Sequence, residues 1–227
     1  MTDMPNQSQY RYLDLITGLF VAVLLISNIA STKIVAIWRF TFDGGTILFP
    51  LSYIFGDILT EVYGYSRGRR VIWIGFFSAL LMSLVLGIIS VAKPAPGWDF
   101  QEAYIKILGQ TPRIVTASLV AYFCGEFLNS FVLAKVKILT KGRMLWVRTI
   151  GSTVFGEGID TLLFVLIAFS WVYEWKLVFL IIVSNYVFKV GLEVILTPLT
   201  YQIVGGLKRR EKVDYFDYKT NFNPFKF

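Results

Sequence analysis

Apolar residues run along this chain in long blocks broken by short polar stretches, near residues 13–32, 46–63, 71–92, 114–136, 146–171 and 177–204. A helix of about 20 such residues crosses the ~30 Å hydrocarbon layer of a bilayer. The pattern therefore predicts an all-α integral membrane protein of about six transmembrane helices, forming a single transmembrane domain over residues 1–227 with a basic tail from 205 onward. Little length remains for a soluble domain. The opening residues MTDMPNQSQYRYLD lack the positive start and cleavage site of a signal peptide, so the first span is expected to stay in the mature protein.

Composition agrees with the blocks. Of the 227 residues, 56% are hydrophobic and only 16% charged, too apolar for water to be the main solvent. The net charge of +7 is not read as a nucleic-acid signal, because the basic residues lie between apolar blocks. Arg11, the Arg67–Arg69–Arg70 group, the Lys135–Arg148 group and the lysines and arginines after 204 fall on one side; Lys33, Arg39, Lys93, Lys106, Arg113 and Lys176 fall on the other. By the positive-inside rule this predicts an even number of spans with both termini on the cytoplasmic side. Trp38, Trp98, Trp146 and Trp175 sit where interfacial anchors belong. The chain has no histidine and one cysteine, Cys124, which removes Ser-His-Asp, Cys-His and His-based metal chemistry, so neither an enzyme nor a metal or cofactor site is expected.

Polar residues within the blocks carry the functional signal. An ionised group near the bilayer centre costs about 2.5–3.5 kcal/mol on insertion scales and needs a partner, a cavity or a task. Tyr53, Asp57 and Glu61 are spaced four apart, on one stripe of the second span. Tyr122, Glu126 and Asn129 mark the fourth span, Thr153, Glu157, Asp160 and Thr161 the fifth, and Asn185, Lys189 and Glu193 the sixth. Four such stripes can converge on one enclosed cavity in which Lys189 is the one mid-depth cation. Lys189 paired with Glu193 or Asp160 merely to hold helices together is the plainer alternative. Glu61 stands close to Arg67, Arg69 and Arg70, which makes an interfacial ion pair its simpler reading. Tyr53, Tyr122 and Tyr186 add flat rings with hydroxyls to the stripes. A carboxylate beside such a ring is a bidentate acceptor for the ring N–H and exocyclic amine of a guanine-like base, so the expected solute is flat, polar and donor-bearing.

The two halves echo each other. IFGDILTE at 54–61 and VFGEGIDT at 154–161 place Phe-Gly-acid at the same depth in spans two and five, and Asn28 and Lys33 are echoed by Asn129 and Lys135. Three spans per repeat implies two inverted copies, about 12–92 and 112–204, with the site between them.

The runs FGDILTEVYGYSRGRR (55–70), WVRTIGSTVFGEGIDT (146–161) and FDYKTNFNPF (216–225) resemble the queuosine precursor transporter family of bacteria, also called the vitamin uptake transporter family. The resemblance covers nearly the whole chain and implies a six-helix secondary carrier that imports 7-deazaguanine bases used in tRNA modification. It carries over Asn28, Lys33, Asp57, Glu61, Trp146, Arg148, Ser152, Glu157, Asp160 and Lys189 as the family's polar positions, with glutamine expected at Glu157 in relatives. The expected partners are thus a small purine-like base and membrane lipid, with proton coupling and a homodimer left open and nucleic acid excluded. Two rivals remain. One is the substrate-binding subunit of an energy-coupling-factor ABC transporter, for which Gly18 and Ala22 form a small-xxx-small packing pair; the other is an intramembrane enzyme, disfavoured by the lack of a nucleophile elbow.

Overall fold

The computed structural model describes residues 10–30, 32–37, 40–108, 112–170 and 174–225. Its helices are α1 (Leu13–Ala30), α2 (Phe49–Tyr63), α3 (Tyr65–Val91), α4 (Gln101–Leu108), α5 (Pro112–Leu139), α6 (Leu145–Phe169) and α7 (Trp175–Glu211). All but α4 are long and apolar enough to cross a membrane, α2 together with the 3-10 turn Gly44–Ile47 before it. The six expected spans are therefore present.

The exposed side chains of α3, among them Phe77, Leu81, Leu84 and Ile88, are apolar, as are Phe179, Leu180, Val187 and Ile195 of α7. Such surfaces suit hydrocarbon, which gives no penalty for exposed leucine. By contrast α2 is the central helix: 75% of its apolar window is buried, against 17% for α3 and for α7. It packs against α1, α3, α5 and α7. Phe20 and Leu24 of α1, Ile58, Leu59 and Val62 of α2, and Ile72 of α3 form the apolar core on one side of it. The polar stripe faces the other way, toward α5, α6 and α7.

Local chemistry explains the breaks. Pro50 occupies the first turn of α2, where its missing N–H costs nothing. One residue, Gly64, separates α2 from α3; its φ of 88° and ψ of 162° lie in a region open essentially to glycine. Arg67, Arg69 and Arg70, which fall between two apolar blocks in the sequence, thus belong to the first turns of α3. Between the first two spans the chain forms a hairpin, β1 (Ile34–Ile37) antiparallel to β2 (Phe40–Asp43), with Ile34 opposite Asp43. The short α4 lies in the connection between spans three and four. Neither element was expected. The last helix continues through Glu211, into the stretch read as tail; its 37 residues span about 55 Å, longer than a bilayer's hydrocarbon and headgroups together. Trp38, Arg39, Trp171 and Lys226 lie outside the described residues.

The residues just before α1 meet the end of α7. Glu211 at the end of α7 accepts hydrogen bonds from the backbone N–H of Arg11 (3.1 Å) and Tyr12 (2.7 Å) and from the Tyr63 hydroxyl (3.0 Å). Beyond it the tail folds back along the bundle. Tyr215 and Phe216 cover Gly64 and Gly142, glycines of positive φ in the α2–α3 and α5–α6 connections. Both carboxylate oxygens of Asp217 accept the Tyr65 N–H (3.0 and 3.2 Å), capping the start of α3. Arg69 donates to the carbonyls of Asn221 (2.8 Å) and Asn223 (2.6 Å), and Trp73 Nε1 to that of Pro224 (2.8 Å). Tyr65, Arg69 and Trp73 are one turn apart, so the tail runs along a single stripe of α3.

Candidate substrate-binding site

Two polar layers lie along the stripe of α2. At the end where Arg11 and Tyr12 meet Glu211, Glu61 receives a forked bond from Arg148 of α6, with Nε 3.0 Å and Nη2 2.7 Å from its two oxygens. Lys208 of α7 adds a third contact at 2.6 Å. Lys137 of α5, only 1% exposed, reaches the Glu61 carbonyl at 2.6 Å, the Tyr215 carbonyl at 2.6 Å and Asp214 at 2.7 Å. Arg148 also donates to the Arg143 carbonyl. Three cations thus meet two carboxylates, and every helix but α1, α3 and α4 contributes. The Asp214 carboxyl, outside the spans, is raised by partial burial, but its hydrogen bonds from Lys137 and Lys208 outweigh that and hold it below its ordinary value. Glu61 has its ion pair, though with Arg148 and Lys208; Arg67 and Arg69 instead bind the Tyr63 carbonyl and the tail.

The second layer lies deeper, one to two turns back along α2. Asp57 Oδ1 accepts from Asn129 Nδ2 of α5 at 2.7 Å and more loosely from Ser152 of α6 at 3.4 Å. Lys189 of α7 sits between two α6 carboxylates, 2.7 Å from Asp160 and 2.9 Å from Glu157. Its role in holding α7 to α6 is therefore real. Glu126 of α5 and Glu193 of α7 are 0% and 1% exposed, yet among the described residues neither has a hydrogen-bond partner on either oxygen. The hydroxyls of Tyr53, Tyr122, Thr153 and Thr161 are likewise buried and unpartnered. Buried polar atoms are normally satisfied, which makes this layer the candidate site.

Glycines permit the close approach. Gly56, Gly125 and Gly156 each precede an acid, on α2, α5 and α6. A Cβ on Gly56 would stand 1.9 Å from Glu126 Oε1, so that carboxyl lies against the backbone of α2. A Cβ on Gly125 would meet the Tyr53 hydroxyl at 2.4 Å, Asp160 Cβ at 2.7 Å and the Gly156 carbonyl at 3.0 Å. Tyr53 and Asp160 therefore converge where α5 and α6 touch, with the Glu126 carboxyl on the α2 side. The Gly-acid pair was noticed in spans two and five; its third occurrence, Gly125-Glu126, is equally visible in the sequence and was missed.

Of the twelve residues expected at the site, eight share this deep layer: Tyr53, Asp57, Tyr122, Glu126, Asn129, Glu157, Asp160 and Lys189. Asn185 is half-buried, one turn before Lys189 on α7. Tyr186 donates to the Val154 carbonyl at 3.2 Å. Three lie elsewhere. Glu61 belongs to the ion-pair layer. Asn28 accepts a hydrogen bond from Ser118 (3.2 Å) and, with Thr32 and Ser83, lines a separate cavity of about 40 Å³ between α1 and α3. Lys33 is exposed at the foot of the hairpin, where its carbonyl accepts the Gly44 N–H at 2.7 Å.

Six helices long and apolar enough to cross a membrane, packed around a buried polar layer, define a multi-pass membrane protein. The chain belongs to the family described as putative vitamin uptake transporters, whose profile matches residues 43–203. It is 29% identical over 188 residues to the probable queuosine precursor transporter of Bacillus subtilis (strain 168), covering 81% of this chain and 82% of that one. It is 29% identical over 169 residues, 74% of each chain, to the queuosine precursor transporter of Escherichia coli (strain K12). These relatives are transporters, not enzymes. No solved structure matches the chain.

Proposed function

We propose that the protein is a secondary carrier that imports 7-deazaguanine bases, precursors of queuosine, across the bacterial cytoplasmic membrane. The observation that carries this reading is Glu126: a fully buried carboxyl whose two oxygens have no protein partner, close to the rings of Tyr53 and Tyr122. A guanine-like edge offers a ring N–H and an exocyclic amine side by side, which two carboxylate oxygens can accept together. The relatives' names point to the same solute.

In this reading the base lies between the inverted halves, held by Tyr53, Asp57, Glu126 and Asp160, and the Glu61–Arg148–Lys208 layer is the barrier on the cytoplasmic side, where both termini lie. Rocking of the halves breaks that barrier and exposes the site to the cytoplasm. Five carboxyls in the deep layer leave room for a proton to travel with the base.

Uptake of labelled 7-deazaguanine bases and of guanine tests the proposal, in cells lacking their own carrier and queuosine synthesis and expressing this chain alone. Import of the deazaguanines in preference to guanine is expected. No import, with the protein present in the membrane, overturns a self-sufficient carrier and favours the ABC-subunit alternative.

A further inference from the structure

Phe222 of the tail sits in the seam between two helices from different halves of the chain. Its ring centroid is 4.9 Å from that of Tyr65 on α3 and 5.2 Å from that of Phe131 on α5, and Lys135 Nζ of α5 stands 4.1 Å from it. The stretch from Asp214 to Phe225 therefore bridges α3 and α5, at the end of the bundle that the Glu61 layer closes.

The two sides of the bridge are built differently. Toward α2 and α3 the tail is held through its own backbone. The Tyr215 N–H donates to the Val62 carbonyl at 3.4 Å, the Tyr65 hydroxyl donates to the Phe222 carbonyl at 3.1 Å, and Arg69 and Trp73 donate to the carbonyls of Asn221, Asn223 and Pro224. Freeing that side means losing all of these bonds together, and each leaves a polar backbone group to satisfy. Toward α5 the hold is made by side-chain tips, the Phe222 ring and the single buried cation Lys137.

Lys137 rises from α5, yet its hydrogen bonds go to the Glu61 carbonyl on α2 and to Asp214 and the Tyr215 carbonyl on the tail. Lys208 of α7 meets the same Asp214 at 2.9 Å. A motion that parts α5 from α2 at this end breaks contacts that depend on Lys137, while the backbone bonds to α3 are untouched. Stripping a buried ammonium of its acceptors is costly, so this contact opposes the motion.

Resting on the carrier reading above, we infer that the tail is a clasp: it stays fixed to α3 and releases α5 each time this end of the bundle opens, with the Asp214–Lys137 contact holding the closed state. The rocking of the halves then requires the tail to slip from one helix only.

The test ties the tail to each helix in turn. In a Cys124→Ser background, Phe222→Cys is combined either with Phe131→Cys, across the seam to α5, or with Tyr65→Cys, on the α3 side, and a short reducible bis-thiosulfonate joins each pair. The α5 link should abolish uptake of a labelled 7-deazaguanine base and a thiol reductant should restore it; the α3 link should leave uptake as in the unlinked protein. Full uptake with the α5 link, or equal loss with both, overturns the clasp, and failure of either pair to join overturns the docked tail. A second readout needs no solute. Thr149, 0% exposed and next to Arg148, is replaced in Thr149→Cys and its reaction with a charged maleimide is followed in detergent. Adding Asp214→Asn should speed that reaction by about tenfold or more, as the loss of a charge-assisted hydrogen bond implies. An unchanged rate overturns the clasp. Absence of uptake from the wild type overturns the carrier reading instead, and the labelling rates still decide the clasp.

Discussion

Glu61 and Arg148 make a two-bond fork inside the bundle, at 2.7 and 3.0 Å, with neither side chain more than 1% exposed. Lys208 and Lys137 crowd the same carboxylate at 2.6 and 3.6 Å. Breaking a buried pair is expensive because a charge is left behind, and here the two partners leave different remainders. Glu61→Gln strands three cations with only Asp214 and should cost about 3–5 kcal/mol. Arg148→Gln leaves a carboxylate still met by two lysines, at about 1–3 kcal/mol. Denaturant unfolding in detergent measures both, and an equal or reversed order would refute this account of the cluster.

The three Gly-acid pairs should respond differently to a methyl group. At Gly56 the new Cβ would strike the end of the Glu126 side chain, 1.9 Å away, and a carboxylate on a flexible stem can move aside. At Gly125 and Gly156 it would strike the opposite helix backbone at 3.0 Å, which cannot. Gly125→Ala and Gly156→Ala should therefore destabilise the bundle by about 1–3 kcal/mol through overpacking. Gly56→Ala should fold nearly as well yet lose uptake. A Gly56→Ala protein with full uptake would separate Glu126 from the site.

Gly64 offers a test of the tail. Its φ of 88° is unfavourable for alanine by about 1–3 kcal/mol, and a Cβ would lie 2.2 Å from the Tyr215 ring. Gly64→Ala should expose residues 213–225 to limited proteolysis while the helices stay protected. Unchanged cleavage would mean that Tyr215 does not hold the tail.

Acid should have a related effect through Asp214. Its carboxyl is held below its ordinary value of 3.8 by Lys137 and Lys208, with Glu61 and Arg148 completing the charged neighbours. A depressed value means that the carboxylate stabilises tail docking fully above the unfolded value, and that the contribution is lost as pH falls through the folded one. Hydrogen exchange at 213–217 should rise below about pH 4 in the wild type, since an unperturbed Asp titrates near 3.9. In Asp214→Asn exchange should be faster at neutral pH and flat across that range. An acid-induced rise that persists in the variant would assign the effect to another group.

How legible all this was follows from what each force acts on. The six spans could be read directly because a bilayer imposes a length of apolar sequence on each helix, a one-dimensional condition. Tyr53, Asp57 and Glu61 could be placed on one face because the helix period does so without reference to any partner. That eight of the twelve expected residues share one layer follows from the same cause, since polar groups at bilayer depth have nowhere else to go. Partners were a different matter. Glu61 has arginines six to nine positions away in sequence, but Gly64 turns them onto α3, and the cations that reach it come from α6 and α7. Lys137 looked like an orientation signal until the fold brought it beneath the tail. The sequence alone therefore determined the membrane protein, its span count and its polar faces. Only the tertiary structure decided which carboxylates are paired and which, like Glu126 and Glu193, have no hydrogen-bond partner among the described residues, because charge pairing depends on distances between helices far apart in the chain.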